Sequence, residues 1–384
     1  MLFLKKILII ILAFSCVIPI VKAEDSLNLS SESAILMDAE SSKILYEKNI
    51  DEKLPMASMT KIMSMLLIME NIENGSLKYE DKVLISENAS GMGGSQVFLQ
   101  AGEEYTVDDL LKCIAVSSAN DAVVAMAEKI SGSVDTFVTL MNEKAKSLGL
   151  ENTNFANPHG LDNENHYSTA YDMAIMAKEL LKHEDILKYT SIYEDYLTKP
   201  DGSQVWLVNT NRLVRFYDGV DGLKTGYTTE AGYCLTATAK KNDLRLISVV
   251  MKSPSAEERS SDTSTLLTYG FNSFKSNVIY SKDKSLGKIK IEKGKLKEVD
   301  VYLKEDATEI LSVTEKPSDY TFNIKIDKII APVKAGTIVG TTEIIDNEGN
   351  IIKEADIIVK IDVEKAGFLD YLKQSFKFIT SGIS

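Results

Sequence analysis

Ser58-Met59-Thr60-Lys61 sets a hydroxyl and an amine three residues apart, just after Pro55 and at the head of the apolar run Ile62 to Met69. Proline followed by such a run predicts a helix start, and a spacing of three brings both side chains onto one face. A serine hydroxyl is a weak nucleophile until a base takes its proton. A lysine serves as that base once burial or a neighbouring cation lowers its pKa. A helix N-terminus adds backbone N–H groups and positive potential where an oxyanion would form. Ser281 with Lys284 and Ser285 with Lys288 repeat the spacing, so any one such pair, taken alone, reads as a helix-start serine beside a solvated lysine.

Two further elements follow in order. Ser118-Ala119-Asn120 lies between helical stretches, and Lys224-Thr225-Gly226 opens a strand-like segment after the loop Asp218 to Leu223. Ser-x-x-Lys, Ser-x-Asn and Lys-Thr-Gly, in that order, are the motif set of class A β-lactamases and penicillin-binding proteins. The chain resembles most closely the D-alanyl-D-alanine carboxypeptidases, the low-molecular-mass penicillin-binding proteins, over nearly its whole length. The segments Gly94 to Leu99, Gly102 to Val107 and Asn154 to Leu161 look like that family's connecting segments.

The resemblance implies a serine-type enzyme that removes the terminal D-alanine from peptidoglycan stem peptides ending in D-Ala-D-Ala, with β-lactam antibiotics as covalent inhibitors. By the same resemblance, Ser58 is the acylated nucleophile and Lys61 its proton acceptor. Ser118 relays the proton to the departing D-alanine, and Asn120 orients the substrate amide and Lys61. Lys224 supplies charge near the substrate carboxylate and helps keep Lys61 neutral, since two close cations hold protons at a cost. Thr225 offers that carboxylate a hydroxyl, Gly226 lets the substrate backbone approach the strand, and the backbone N–H groups of Ser58 and Tyr227 form the oxyanion hole. Tyr227 stands where some relatives carry histidine. Arg259 matches a family arginine that pairs with the terminal carboxylate; its other reading is a surface arginine beside Glu257 and Glu258. The reading calls for no cofactor. His159, His166 and His183 have no companion at metal-ligand spacing, and His159 reads as a loop hydrogen-bonder rather than a triad base.

The elements that must position these residues are an α+β sandwich. Ala34 to Met37 and Ile44 to Tyr46 predict a hairpin, and Tyr233 to Ala239 with Leu244 to Met251 predict an antiparallel pair. Helical periods run over Lys61 to Glu70, Val107 to Ile130 and Val134 to Leu148. Beyond residue 275 the pattern turns almost wholly strand-like, with Lys288 to Ile291, Val299 to Leu303 and Phe322 to Ile326 alternating as in a small all-β module. The expected division is therefore a signal peptide over 1–23, a catalytic domain over 24–275, a β-rich domain over 276–363 and an amphipathic helix over 364–384.

The signal-peptide reading rests on Lys5 and Lys6 before the apolar run Ile7 to Val21, with small residues at Val21 and Ala23, and it implies an exported enzyme. In the tail, Phe368, Leu369, Leu372, Phe376 and Ile379 form one stripe opposite Asp370, Lys373, Gln374 and Lys377. Such a helix suits the outer face of the cytoplasmic membrane, or else packs on its own protein. Cys113 and Cys234 are expected to be free and buried. A net charge of -13 among 384 residues argues against nucleic acid and requires any anionic substrate to meet locally placed cations. A class A-like β-lactamase would need a glutamate for deacylation, resembling Glu-x-x-Leu-Asn. Glu184 to Leu187 ends in Lys188 and Glu194 to Leu197 ends in Thr198. A non-catalytic peptidoglycan-binding protein would have no use for an activated serine.

Overall fold

The computed structural model describes residues 27–370. Strand β1 (Ser33–Asp38) and its hairpin partner β2 (Ile44–Lys48) open the chain. A peripheral hairpin follows much later, β3 (Glu194–Thr198) and β4 (Gln204–Val208), and then β5 (Val220–Thr228), β6 (Gly232–Lys241) and β7 (Leu244–Ser253). The central antiparallel sheet runs in the order β2-β1-β7-β6-β5, so the first and last strands of the domain meet at its centre and β5 is left at an edge.

Both faces of that sheet are covered, which is why β1 is buried along its whole length. The side-chain period of two sends Ile35 and Met37 into the larger core and Ala34 and Leu36 into a smaller one on the opposite face. The larger core holds helices α1 (Lys61–Glu73), α2 (Val107–Ser117), α3 (Asn120–Ser131), α4 (Val134–Ser147) and α5 (Ala170–Leu181). The smaller core lies under α6 (Ala256–Ser273), through Leu266 and Leu267. Helix α1 buries every residue from Lys61 to Met69, as expected of a helix apolar on all sides that runs through a core.

The helical period predicted over Val107 to Ile130 is two helices. Thr106 and Asp109 form a capping box at the start of α2. The chain then leaves the helix at Ser118, whose φ of +63° is left-handed, and Ala119 is extended before α3 begins at Asn120. Apolar periodicity continues through the break because Val116, Ala119, Val123 and Val124 all face the same core.

Past α6 the chain is almost entirely strand: β8 (Phe274–Tyr280), β9 (Gly287–Glu292), β10 (Glu298–Leu303), β11 (Ala307–Ser312), β12 (Thr321–Ile326), β13 (Ile329–Ile330), β14 (Ile338–Ile345) and β15 (Ile351–Val359). Six form a sheet ordered β12-β14-β15-β10-β9-β13, and β8 pairs with β11. Their core is Val299, Val301, Leu303, Val339, Ile344, Ile357 and Val359. Lys43 Nζ donates to the Ile310 carbonyl at 2.9 Å and Lys353 pairs with Glu40 at 2.7 Å, tying the module to the first hairpin.

The tail departs from expectation at its start. Lys365 bridges to Gly294 and the Ala366 N–H donates to the Lys293 carbonyl, so these residues continue the β module. A helical turn begins only at Phe368, which with Leu369 is strongly exposed. The rest of the proposed amphipathic stripe, and the expected signal peptide, lie outside the described residues. No helix among the described residues is long and apolar enough to cross a membrane.

Candidate active site

Ser58 sits in a single 3-10 turn, Ala57–Thr60, that leads into α1. It is half-buried, while Lys61, one turn on, is wholly buried. Lys61 Nζ lies 2.9 Å from Ser58 Oγ, 2.7 Å from Asn120 Oδ1 and 2.7 Å from the His159 carbonyl. Three partners suit either protonation state, but they divide naturally for a neutral amine. Its two N–H bonds go to Asn120 Oδ1 and the His159 carbonyl, which can only accept, and its lone pair is left for the Ser58 hydroxyl proton. Burial, and next the charge of Lys224, push the Lys61 pKa well below that of a free lysine, with Asp121 opposing.

Asn120 is held on both sides. Its backbone N–H donates to the Ser95 carbonyl at 2.7 Å and its Nδ2 to the Gly93 carbonyl at 2.7 Å, which leaves Oδ1 to face Lys61. The loop supplying those carbonyls is itself fixed by Asp121, which accepts from the Val97 and Leu99 N–H groups at 3.0 Å and 3.1 Å. Ser118, in the break between α2 and α3, is buried, and its hydroxyl has no hydrogen-bond partner among the described residues.

The opposite wall is β5. Lys224-Thr225-Gly226 lies in the middle of that strand rather than at its start. Lys224 is 1 % exposed, with Nζ on the Thr225 carbonyl at 3.0 Å, and burial followed by the charge of Arg259 lowers its pKa to about 7. The Thr225 hydroxyl bonds Thr210 Oγ1 at 2.7 Å. Gly226 faces the Ser58 turn: a Cβ there would meet the Met56 carbonyl at 2.7 Å and Ala57 Cβ at 3.1 Å. Its lack of a side chain therefore serves the enzyme's own packing as well as any substrate. Tyr227, half-exposed, stacks on Tyr233 with ring centroids 4.3 Å apart. Arg259 is in the first turns of α6 and only 8 % exposed, so the surface reading beside Glu257 and Glu258 is set aside. Burial lowers its pKa, and its Nε has no partner among the described residues.

Sequence reasoning noted the segment Asn154 to Leu161 and read His159 as a loop hydrogen-bonder, but it missed how this loop and His166 brace the Ser58 turn. His166 Nδ1 accepts from the Ala156 N–H at 3.0 Å, so Nε2 carries the proton and donates to Thr60 Oγ1 at 2.6 Å, which in turn donates to the Ala57 carbonyl at 2.7 Å. Burial depresses His166 to a pKa of about 4, keeping the ring neutral. Gly160 has a φ of +91°, and a Cβ on it would fall 1.9 Å from the Ala57 carbonyl, so this position admits only glycine. The His159 ring accepts from the Leu161 N–H at 3.2 Å and has its pKa lowered to about 3 by burial and Lys61, so it stays neutral and holds its loop. Pro158-His159-Gly160 was the available signal, since it places a glycine beside a carbonyl that reaches the site.

Glu184 lies beside His183, whose ring is 2.8 Å from Glu73 at the far end of α1, about 18 Å of helix from Lys61. Glu194 is exposed at the start of β3. Glu184 therefore stands too far off to activate water for Ser58, and Glu194 is turned to solvent. Among the described residues no cluster of three potential metal ligands occurs, and Cys113 and Cys234 are buried and free.

Residues 20–255 match the family described as D-alanyl-D-alanine carboxypeptidase, and residues 274–365 match the C-terminal domain of penicillin-binding protein 5. The D-alanyl-D-alanine carboxypeptidase DacF of Bacillus subtilis is 48% identical over 92% of this chain and 91% of its own length. Among solved structures, penicillin-binding protein 5 from Haemophilus influenzae is similar with a TM-score of 0.69 and 32% identity, covering 88% of this chain and 98% of that one. Penicillin-binding protein D2 from Listeria monocytogenes, in its ampicillin-bound form, matches with a TM-score of 0.58 and 33% identity, over 64% of this chain and 99% of that one.

Proposed function

Since the chain belongs to the D-alanyl-D-alanine carboxypeptidase family, and is a serine-type peptidase that binds penicillin, we propose that Ser58 is the nucleophile and Lys61 the base that activates it. The observation that carries this assignment is the buried Lys61 amine, 2.9 Å from Ser58 Oγ, with its two N–H bonds taken by Asn120 and the His159 carbonyl.

In acylation, Ser58 Oγ attacks the carbonyl carbon of the penultimate D-alanine as its proton passes to Lys61 Nζ. The tetrahedral oxyanion is met by the N–H groups of Ser58 and Tyr227, and each such donor is typically worth about 3 kcal/mol in the transition state. Collapse expels the terminal D-alanine, whose amine takes the proton from Lys61 through the Ser118 hydroxyl. Water then attacks the ester, its proton leaving by the same lysine, and frees the shortened stem peptide.

Lys224, Thr225 and Arg259 receive the terminal carboxylate. A lysine with a pKa near 7 in the empty cleft is drawn to its charged form when a carboxylate arrives. Because β5 is an edge strand, an extended peptide can lie along it by strand addition. Export, supported by Lys5 and Lys6 before the apolar run Ile7 to Val21, and membrane attachment through the tail, supported by the exposure of Phe368 and Leu369 where the helical turn begins, are also part of this proposal. The β module then acts as a spacer between membrane and wall.

The direct test is mass spectrometry of the purified enzyme with penicillin and with a stem pentapeptide. A persistent penicilloyl adduct on the peptide containing Ser58, together with released D-alanine, is the expected result. An adduct elsewhere overturns the assignment.

A further inference from the structure

We propose that Phe98, Tyr196 and Trp206 form an aromatic platform beside the cleft that binds the glycan to which the stem peptide is attached. The proposal rests on the carboxypeptidase reading and adds a second ligand chemistry to it, the pyranose ring.

The hairpin of β3 and β4 has one buried face and one bare one. Leu197 and Leu207 are wholly buried, whereas Tyr196 is 51% and Trp206 59% exposed. Tyr196 and Trp206 are directly opposed in register, so both side chains leave the hairpin on its outer face. Phe98 is 60% exposed on the loop that holds Asn120. Its φ of +58° lies in the left-handed region, uncommon for a bulky residue. The strain is enforced on both sides by the buried Asp121 carboxylate, which takes the N–H groups of Val97 and Leu99. A strained, outward-turned aromatic that the core clamps in place points to a use for the exposed ring.

This surface is continuous with the cleft. Lys199, just past β3, donates to the Phe98 carbonyl at 2.6 Å, and Lys112 of α2 donates to the Tyr196 carbonyl at 3.0 Å. Two residues beyond β4, Thr210 bonds Thr225 at 2.7 Å. The hairpin thus borders the cleft both at Thr225 and, through Lys199 and Phe98, at the loop that holds Asn120, and the second of these lies away from the carboxylate end, on the side open to a glycan carried on the stem peptide.

The chemistry favours sugar over other occupants. One face of a pyranose presents C–H groups of partial positive charge, which match the negative face of an aromatic ring. Thr198 and Gln204, on the same outer face, offer neutral hydrogen-bonding groups suited to hydroxyls and acetamides. A second copy of this chain fits less well, since the exposed Glu194 shares the face and each copy carries a net charge of -13.

The full chain and its Trp206→Ala and Tyr196→Ala/Trp206→Ala variants are to be assayed on two substrates, a sugar-free pentapeptide and the same peptide carried on its N-acetylated disaccharide, with fluorescent penicillin as control. Penicillin acylation and sugar-free turnover should be unchanged. KM for the disaccharide substrate should rise roughly 3- to 10-fold in the single variant, as expected for one lost aromatic contact, and further in the double variant. Trp206 is the sole tryptophan, so titrating the wild type with the peptide-free disaccharide should change its fluorescence. Equal losses on both substrates, no loss on either, a silent titration, or a self-association that depends on Trp206 would each overturn the platform. Failure of the wild type to react with penicillin would instead overturn the carboxypeptidase reading.

Discussion

Gly226→Ala tests how the two walls of the cleft are held together. An added Cβ would sit 2.7 Å from the Met56 carbonyl, 3.1 Å from Ala57 Cβ and 3.2 Å from the Met59 backbone nitrogen. The first contact cannot be relieved by a side-chain rotation, because it is with backbone, so β5 and the Ser58 turn must separate by about half an ångström. Overpacking of this kind costs about 1–3 kcal/mol. At roughly 2–4 °C per kcal/mol for a domain of this size, the melting temperature should fall by about 2–12 °C. The same opening moves the Ser58 N–H away from the Tyr227 N–H, one residue beyond the substitution. A misplacement of about 1 Å can cost ~100-fold, so half of that should slow acylation by roughly tenfold. Thermal unfolding and the second-order rate of labelling by fluorescent penicillin give the two readouts. If Gly226 serves only to let the substrate backbone approach, the variant will melt with the wild type and lose only peptide affinity. That result would refute the packing argument.

Ser58→Ala should abolish both penicillin labelling and D-alanine release with an unchanged melting curve, and full residual labelling would remove Ser58 from the mechanism. Lys61→Ala should slow acylation by roughly 10²- to 10⁴-fold through loss of the general base, measured by stopped-flow with a chromogenic β-lactam. In the pH profile of kcat/KM, the acid limb reports Lys61 gaining its proton and the alkaline limb Lys224 losing its own near pH 7. Lys224→Met removes a positive neighbour, so the Lys61 pKa rises, the acid limb moves to higher pH and the alkaline limb disappears; an unshifted acid limb would show that the two lysines are uncoupled. Truncation after Gly367, which spares the pairing of Lys365 and Ala366 with the β module and removes Phe368 and Leu369, should release active enzyme into the soluble fraction. Retention on the membrane would rule out the tail as anchor.

Local pattern in the sequence determined the chemistry and the class of fold. Ser58, Lys61, Ser118, Asn120 and Lys224 could be picked out because the residue types are few, the spacings fixed and the order distinctive. The strands of the central sheet and the β-rich second part were equally legible, since period-two alternation and turn residues are local properties. The break at Ser118 was not, because the apolar face that defines the helical period runs on through it into the same core. For Lys61 the resemblance already implied that Lys224 helps keep the amine neutral, but the larger cause, burial by the whole core, and the fixing of its N–H bonds on a carbonyl 98 residues away at His159 and an amide 59 residues away at Asn120, came only with the tertiary structure. For Arg259 the sequence left two readings open, a partner of the carboxylate and a surface arginine beside two glutamates, and only the packing of α6 against the sheet showed it to be buried. The His166 to Ala57 relay and the clash that keeps residue 160 a glycine arise only where the loop from Ala156 to His166 meets the Ser58 turn. Sequence names the groups that can react; long-range packing decides which are dry, which are charged and which can touch.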